Sequence, residues 1–161
     1  MTDKEFFVST VAGEAPQFEK VLKALPVDKL DWKQDPKART AMELTATIAG
    51  ESLSFADFLK NGVLDIASEQ APFKTIDELV NGTNKGLAAA QAIAAGMTDA
   101  DWMAESKMLM GDKELWKTTK GKMALGLLLD IIHHRGQLSV YIRPMGGKVP
   151  SIYGPSADTE E

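Results

Sequence analysis

Three times the chain writes a threonine, two spacers and a glutamate just ahead of an apolar pattern of helical period: Thr2 with Glu5, Thr40 with Glu43, and Thr75 with Glu78. In such a capping box the hydroxyl accepts from the backbone N–H three residues on. The carboxylate reaches back to the N-cap N–H, so two orphan donors are satisfied reciprocally. Each box therefore predicts a helix start. The first helix runs through Phe6, Phe7 and Val11 toward Leu22 and Leu25, with Pro16 expected to kink or split it. The second runs from Ala41 to about Leu59, where Ala41, Leu44, Ile48, Phe55 and Leu59 share a face and Gly62 stands as a stop signal. The third runs from Ile76 to about Ala95 and stops at Gly96. Its Ala-rich end, Leu87 to Ala95, would admit a neighbouring helix closely.

A fourth long helix is expected from Thr119 or Lys120 to about Pro144. Before it, two half-apolar runs between Ser106 and Lys117 flank Gly111-Asp112, the pattern of a small hairpin or an irregular excursion. Beyond Gly146-Gly147 the tail is punctuated by Pro and Gly. Four main helices with no internal repeat give an all-α expectation: one domain over 1–161, an antiparallel four-helix bundle with that excursion before the last long helix.

Composition removes several function classes. The net charge is −5 and no basic run exists, which argues against nucleic-acid binding, because phosphate neutralisation needs clustered Lys and Arg. The longest apolar run, Ala124 to Leu129, is too short to span a bilayer, so no membrane partner is expected. No secretory signal is visible after Met1, and the absence of Cys fits a cytoplasmic address. Neither a phosphate-cradling glycine loop nor a nucleophile elbow is present, and Gly146-Gly147-Lys148 reads as a helix stop and turn.

Both histidines of the chain, His133 and His134, sit side by side on the last helix. A site of three imidazoles or with a thiolate is thereby excluded within one chain. With His134 at zero on a wheel of 100° per residue, Leu127, Met123, Tyr141 and Leu138 all fall within about 40° of it. His134 is then expected in the middle of the apolar stripe, with Asp130 one turn earlier on the same side and His133 turned away. A carboxylate placed there is costly unless paired or metal-bound. Two readings stay open: a satisfied Asp130–His134 hydrogen bond, or a metal or acid/base site.

On the second helix, Glu51 lies at the edge of the buried face with Thr47 one turn before it. If the two helices are neighbours, Glu51, Asp130 and His134 converge as metal ligands, against the alternative that Glu51 reaches solvent. Two carboxylates and one imidazole make a harder set than three imidazoles, favouring Mn or Fe over Zn or Ni. Thr47, His133, Gln137 and Tyr141 are candidate pocket residues. Arg135, beside them, reads as a surface ion-pair donor, and Trp32, Trp102 and Trp116 as packing residues.

The sequence resembles the DinB-like (DinB/YfiT-like) family of four-helix bundles. The resemblance rests on His134-Arg135-Gly136-Gln137-Leu138, then Tyr141-Ile142-Arg143-Pro144-Met145-Gly146-Gly147 and Val149-Pro150-Ser151-Ile152-Tyr153-Gly154. Leu30-Asp31-Trp32 and Ala46-Thr47-Ile48-Ala49-Gly50-Glu51 support it upstream. It implies a divalent metal, often Zn or Ni, on three histidines, and relatives that include thiol-dependent transferases and isomerases. Here the helix-four pair of that pattern is Asp130 and His134, and the helix-two position falls on Thr47. The expectation is a divalent-metal-dependent enzyme, of thiol-dependent transferase or hydrolase type, acting on a small molecule. The alternative is a non-enzymatic small-molecule binding or stress-associated module with a degenerate metal site. Related bundles often dimerise, so a homodimer is also expected.

Overall fold

The computed structural model describes residues 1–67 and 73–159. Five α-helices and three strands follow in the order α1 (Asp3–Lys23), α2 (Ala41–Asn61), β1 (Val63–Asp65), α3 (Ile76–Gly96), α4 (Asp99–Trp102), β2 (Glu105–Met110), β3 (Lys113–Thr119) and α5 (Lys120–Ile142), with a 3-10 turn at Val27–Lys29. The helix starts follow the capping chemistry. Thr2 and Thr40 accept from Glu5 and Glu43 N–H at 3.2 and 3.1 Å, and each glutamate accepts from its threonine's N–H at 2.7 Å. At α3 the box is half made: Thr75 accepts from Glu78 N–H, but the Glu78 carboxylate takes the N–H of Lys74 instead. Gly62 ends α2 with φ +73°, donating to the Phe58 carbonyl at 2.7 Å, a left-handed geometry that favours glycine.

α1 is not split at Pro16. Proline frees the carbonyl of Ala12, which is exposed and so faces water, while Val11 and Phe18 on either side are buried and hold both halves to the core.

The all-α expectation is overturned. β1 pairs in parallel with β2 (Val63↔Lys107, Leu64↔Met108, Asp65↔Leu109), and β2 pairs antiparallel with β3, making a mixed three-stranded sheet of order β1-β2-β3. The hairpin was legible, its register shift between Met108 and Leu109 was not. β1 is only three residues long, too short for alternation to show, and its pairing partner lies beyond α3. The short α4, capped by Thr98 on Asp101 N–H at 3.1 Å, was also missed.

α3 packs on both α1 and α2, and α5 packs on the same two helices, so the four long helices form a ring in the order α1-α3-α2-α5. Phe7, Phe18, Phe55 and Phe58 fill its centre, with Phe7 5.3 Å from the ring of the buried Trp102. α3 comes nearest α2 at Gly86, just ahead of the Ala-rich end: a Cβ there would stand 2.2 Å from the Ser52 backbone. No helix among the described residues is long and apolar enough to cross a membrane.

Candidate functional site

The α2–α5 contact brings Glu51, Asp130 and His134 together. One ligand atom from each lies within 4.8 Å of the others, a candidate metal-ligand group. His134 Nε2 stands 3.4 Å from Asp130 Oδ2, and His134 Nδ1 stands 2.8 Å from the amide oxygen of Gln137. An amide oxygen only accepts, so Nδ1 carries the hydrogen; in the neutral ring the Nε2 lone pair then faces the carboxylates. A hydrogen bond from Nδ1 to an amide oxygen fixes the ring orientation and tautomer that a ligating imidazole needs.

Glu51 is the strained member. It is half-buried, and its Oε2 is shut away from solvent with no hydrogen-bond partner. Burial, and then the neighbouring Asp130 carboxylate, push its pKa up to about 7. A buried acceptor without a donor, beside a second carboxylate and an imidazole lone pair, is short of positive charge. A proton or a divalent cation supplies it, and the donor set of two carboxylates and one imidazole suits the latter.

The expected centre of the α5 stripe was displaced. The buried residues of α5, which run from Lys120 and Met123 through Leu127, Leu128, Ile131 and Arg135 to Leu138, Tyr141 and Ile142, centre near Ile131, about 60° from His134 on the wheel. His134 therefore sits at the rim, with its side chain 13% exposed, and Asp130 stands outside it at 52%. His133 is exposed and turned away from the group, its ring 5.4 Å from that of His134.

Beside the group opens a groove of about 460 Å³ lined by Gln34, Ala38, Arg39, Leu44, His134, Gln137, Val140 and Tyr141. Of the candidate pocket residues, Gln137 and Tyr141 line it, and Thr47 and His133 do not. The Tyr141 hydroxyl donates to the Arg39 carbonyl at 3.1 Å and its ring meets Trp32 edge-on at 4.9 Å, so the first connection forms one wall. The Thr47 hydroxyl is spent elsewhere, donating to the Glu43 carbonyl at 3.0 Å and accepting from Arg39 at 3.2 Å.

Sequence reasoning missed Arg135. It is not a surface donor but 2% exposed, ion-paired with Glu14 of α1, hydrogen-bonded to Tyr153 of the tail, and stacked 4.7 Å over Phe18. The Tyr153 hydroxyl in turn donates to Glu14 at 2.8 Å. The signal was present: Leu128, Ile131, Leu138 and Ile142 all lie one or two turns from position 135 on one face.

Comparison with known proteins agrees with this architecture. Among solved structures, a DinB-like protein from Bacillus subtilis superposes with a TM-score of 0.71 at 22% identity, covering 92% of this chain and 99% of its own. Another from Bacillus cereus gives 0.66 at 19% identity, over 92% and 97%. No curated protein matches the sequence. The model of the DinB family matches residues 1–161, and the chain belongs to that family.

Proposed function

We propose that the protein is a divalent-metal-dependent enzyme acting on a small molecule, of thiol-dependent transferase or hydrolase type, with Glu51, Asp130 and His134 as the metal ligands. The observation that carries this is Glu51, which has one carboxylate oxygen within 4.8 Å of a second carboxylate and an imidazole, and whose Oε2 is buried without a partner. A cation bound there polarises a substrate oxygen or lowers the pKa of a bound water or thiol. Gln137 holds the imidazole in the tautomer that presents Nε2, and Glu51 and Asp130 contribute hard oxygen donors that favour Mn or Fe over Ni or Zn. With no Cys in the chain, any thiol that reacts comes with the substrate. His134 lines the groove and so joins the group to a space where a small molecule has room.

A second reading, a non-enzymatic binding module with a degenerate site, is favoured by one observation: the Thr47 hydroxyl is held by the Glu43 carbonyl and Arg39 rather than turned to the group. Elemental analysis of tag-free protein separates the two. The enzyme reading expects close to one equivalent of metal after reconstitution, lost in Asp130→Ala and Glu51→Gln. Far less than one equivalent after soaking in Mn, Fe, Ni and Zn overturns it.

A further inference from the structure

We propose that the groove beside the metal-ligand group takes an organic anion, a carboxylate head on an apolar body, with Arg39 as the residue that recognises the charge. This deepens the metal-enzyme reading by naming a substrate class, and rests on it only for which end of the ligand faces the metal.

Arg39 is unusual among the lining residues. It is the one Lys, Arg or carboxylate side chain of that lining, and among the described residues its guanidinium makes a single hydrogen bond, to the Thr47 hydroxyl at 3.2 Å. Among the described residues no carboxylate comes within ion-pair distance of it. The natural candidate on its own side, Glu43, has its carboxylate committed to the Thr40 N–H at 2.7 Å as part of the α2 cap. Arg39 is exposed, and Glu43 and Glu51 feel its charge without forming an ion pair with it, so most of a guanidinium fork suited to a carboxylate is left for a ligand.

The rest of the groove completes a recognition surface. Gln137 spends its amide oxygen on His134 Nδ1, which leaves its NH₂ as a pure donor at the groove wall. Gln34 adds a second amide. Between them Ala38, Leu44, Val140 and the Tyr141 ring are apolar. The cavity of about 460 Å³ lies within the usual range for small-molecule sites, roughly 300–1,000 Å³. An anion suits this lining better than a cation, because the groove presents donors and a positive charge. Glu51 and Asp130 are not among the residues that line it, although Glu51 lies near enough to feel the Arg39 charge. A ligand with its carboxylate on Arg39 extends its apolar body along Leu44 and Val140 toward His134.

The Tyr141 hydroxyl holds Arg39 by its backbone carbonyl, so exchanging the side chain leaves the groove wall in place. The test is an NMR titration of wild type and Arg39→Gln with 3-phenylpropionate and with its neutral amide, with and without zinc, and with zinc content measured on the same samples. The expected result is saturable shifts of the Gln34 and Gln137 side-chain amides and the Leu44 and Val140 methyls by the acid. The affinity should fall at least about tenfold both in Arg39→Gln and for the amide, the loss of a charge-assisted fork. Equal binding of acid and amide, affinity unchanged in Arg39→Gln, or shifts that map away from the groove overturn the proposal. Acid binding lost in Arg39→Gln by a protein that takes up neither zinc nor, in parallel elemental analysis, Mn, Fe or Ni keeps the anion groove and removes the metal reading. Zinc uptake with acid and amide indistinguishable does the reverse.

Discussion

Two neighbouring residues of α5, His134 and Arg135, face two polar clusters that differ in how completely their charges are met. Around Arg135 one cation meets one carboxylate, Glu14, and the Tyr153 hydroxyl closes the remaining hydrogen bonds between them. The guanidinium face lies on Phe18 and the cluster ties α1, α5 and the tail together. Around His134 two carboxylates and an imidazole meet with no Lys or Arg ion-paired to them among the described residues, and a Glu51 oxygen is left unpartnered. A satisfied buried network is a fastening, and its removal costs stability. An unsatisfied one is a site waiting for a charge, and its removal relieves the fold while abolishing what the site can bind. The contrast teaches how to tell structural from chemical polarity in one helix.

The sharpest way to break this comparison is at Arg135. Arg135→Met leaves Glu14 half-buried without its cation and releases Tyr153, and should cost about 3 kcal/mol or more of stability by urea unfolding at pH 7. A loss under about 1 kcal/mol would place the fastening elsewhere.

Glu51→Gln should act in the opposite direction. Burial and the Asp130 carboxylate push the Glu51 pKa up to about 7 in the folded state, from the ordinary 4.5. Between those values the native state binds the extra proton, so metal-free stability falls as pH rises through that window. The full cost is present above about pH 7 and absent below about pH 4.5. At pH 8 without metal, Glu51→Gln should therefore raise stability, by at most about 3 kcal/mol, and by nothing at pH 4. A stability profile of the variant parallel to wild type over pH 4–8 would show that Glu51 is not strained.

Metal and chelator sharpen the same contrast. With metal at about a hundred times its dissociation constant, wild type should gain about 2.7 kcal/mol, and EDTA should remove that gain. Glu51→Gln should show no response to either, and Arg135→Met should respond like wild type from its lower baseline. The smallest effect belongs to His133→Ala. It should change neither metal content nor stability by more than about 0.5 kcal/mol, as for an exposed residue outside both clusters. A loss of metal in this variant would move the ligand set.

Much of the helical frame was legible because its signals are local. Thr2, Thr40 and Thr75 mark starts through bonds three residues long, and Gly62 marks a stop through its own φ. Glu51, Asp130 and His134 were legible as a group because helical spacing places each at a face, and the α2–α5 contact does the rest. What failed depends on partners distant in sequence. β1 becomes a strand only because β2 lies beside it. Arg135 could be buried only because Glu14 and Tyr153, 121 residues before and 18 after it, converge on it. Treating arginine as polar also shifted the apparent centre of the α5 stripe toward His134, which is why Asp130 proved more exposed than the wheel implied.

The parallel pairing of β1 with β2 also orders events in time. Val63 and Lys107 bracket α3 and α4 in sequence, so their ladder carries a loop-closure cost that docking of the intervening helices lowers. The N–H groups of Lys107, bonded to the Gly62 carbonyl, and of Ile66, bonded to Leu109, report directly on that closure. Their protection from hydrogen exchange should track how firmly the sheet stays seated on α2 and α5, the helices it packs against.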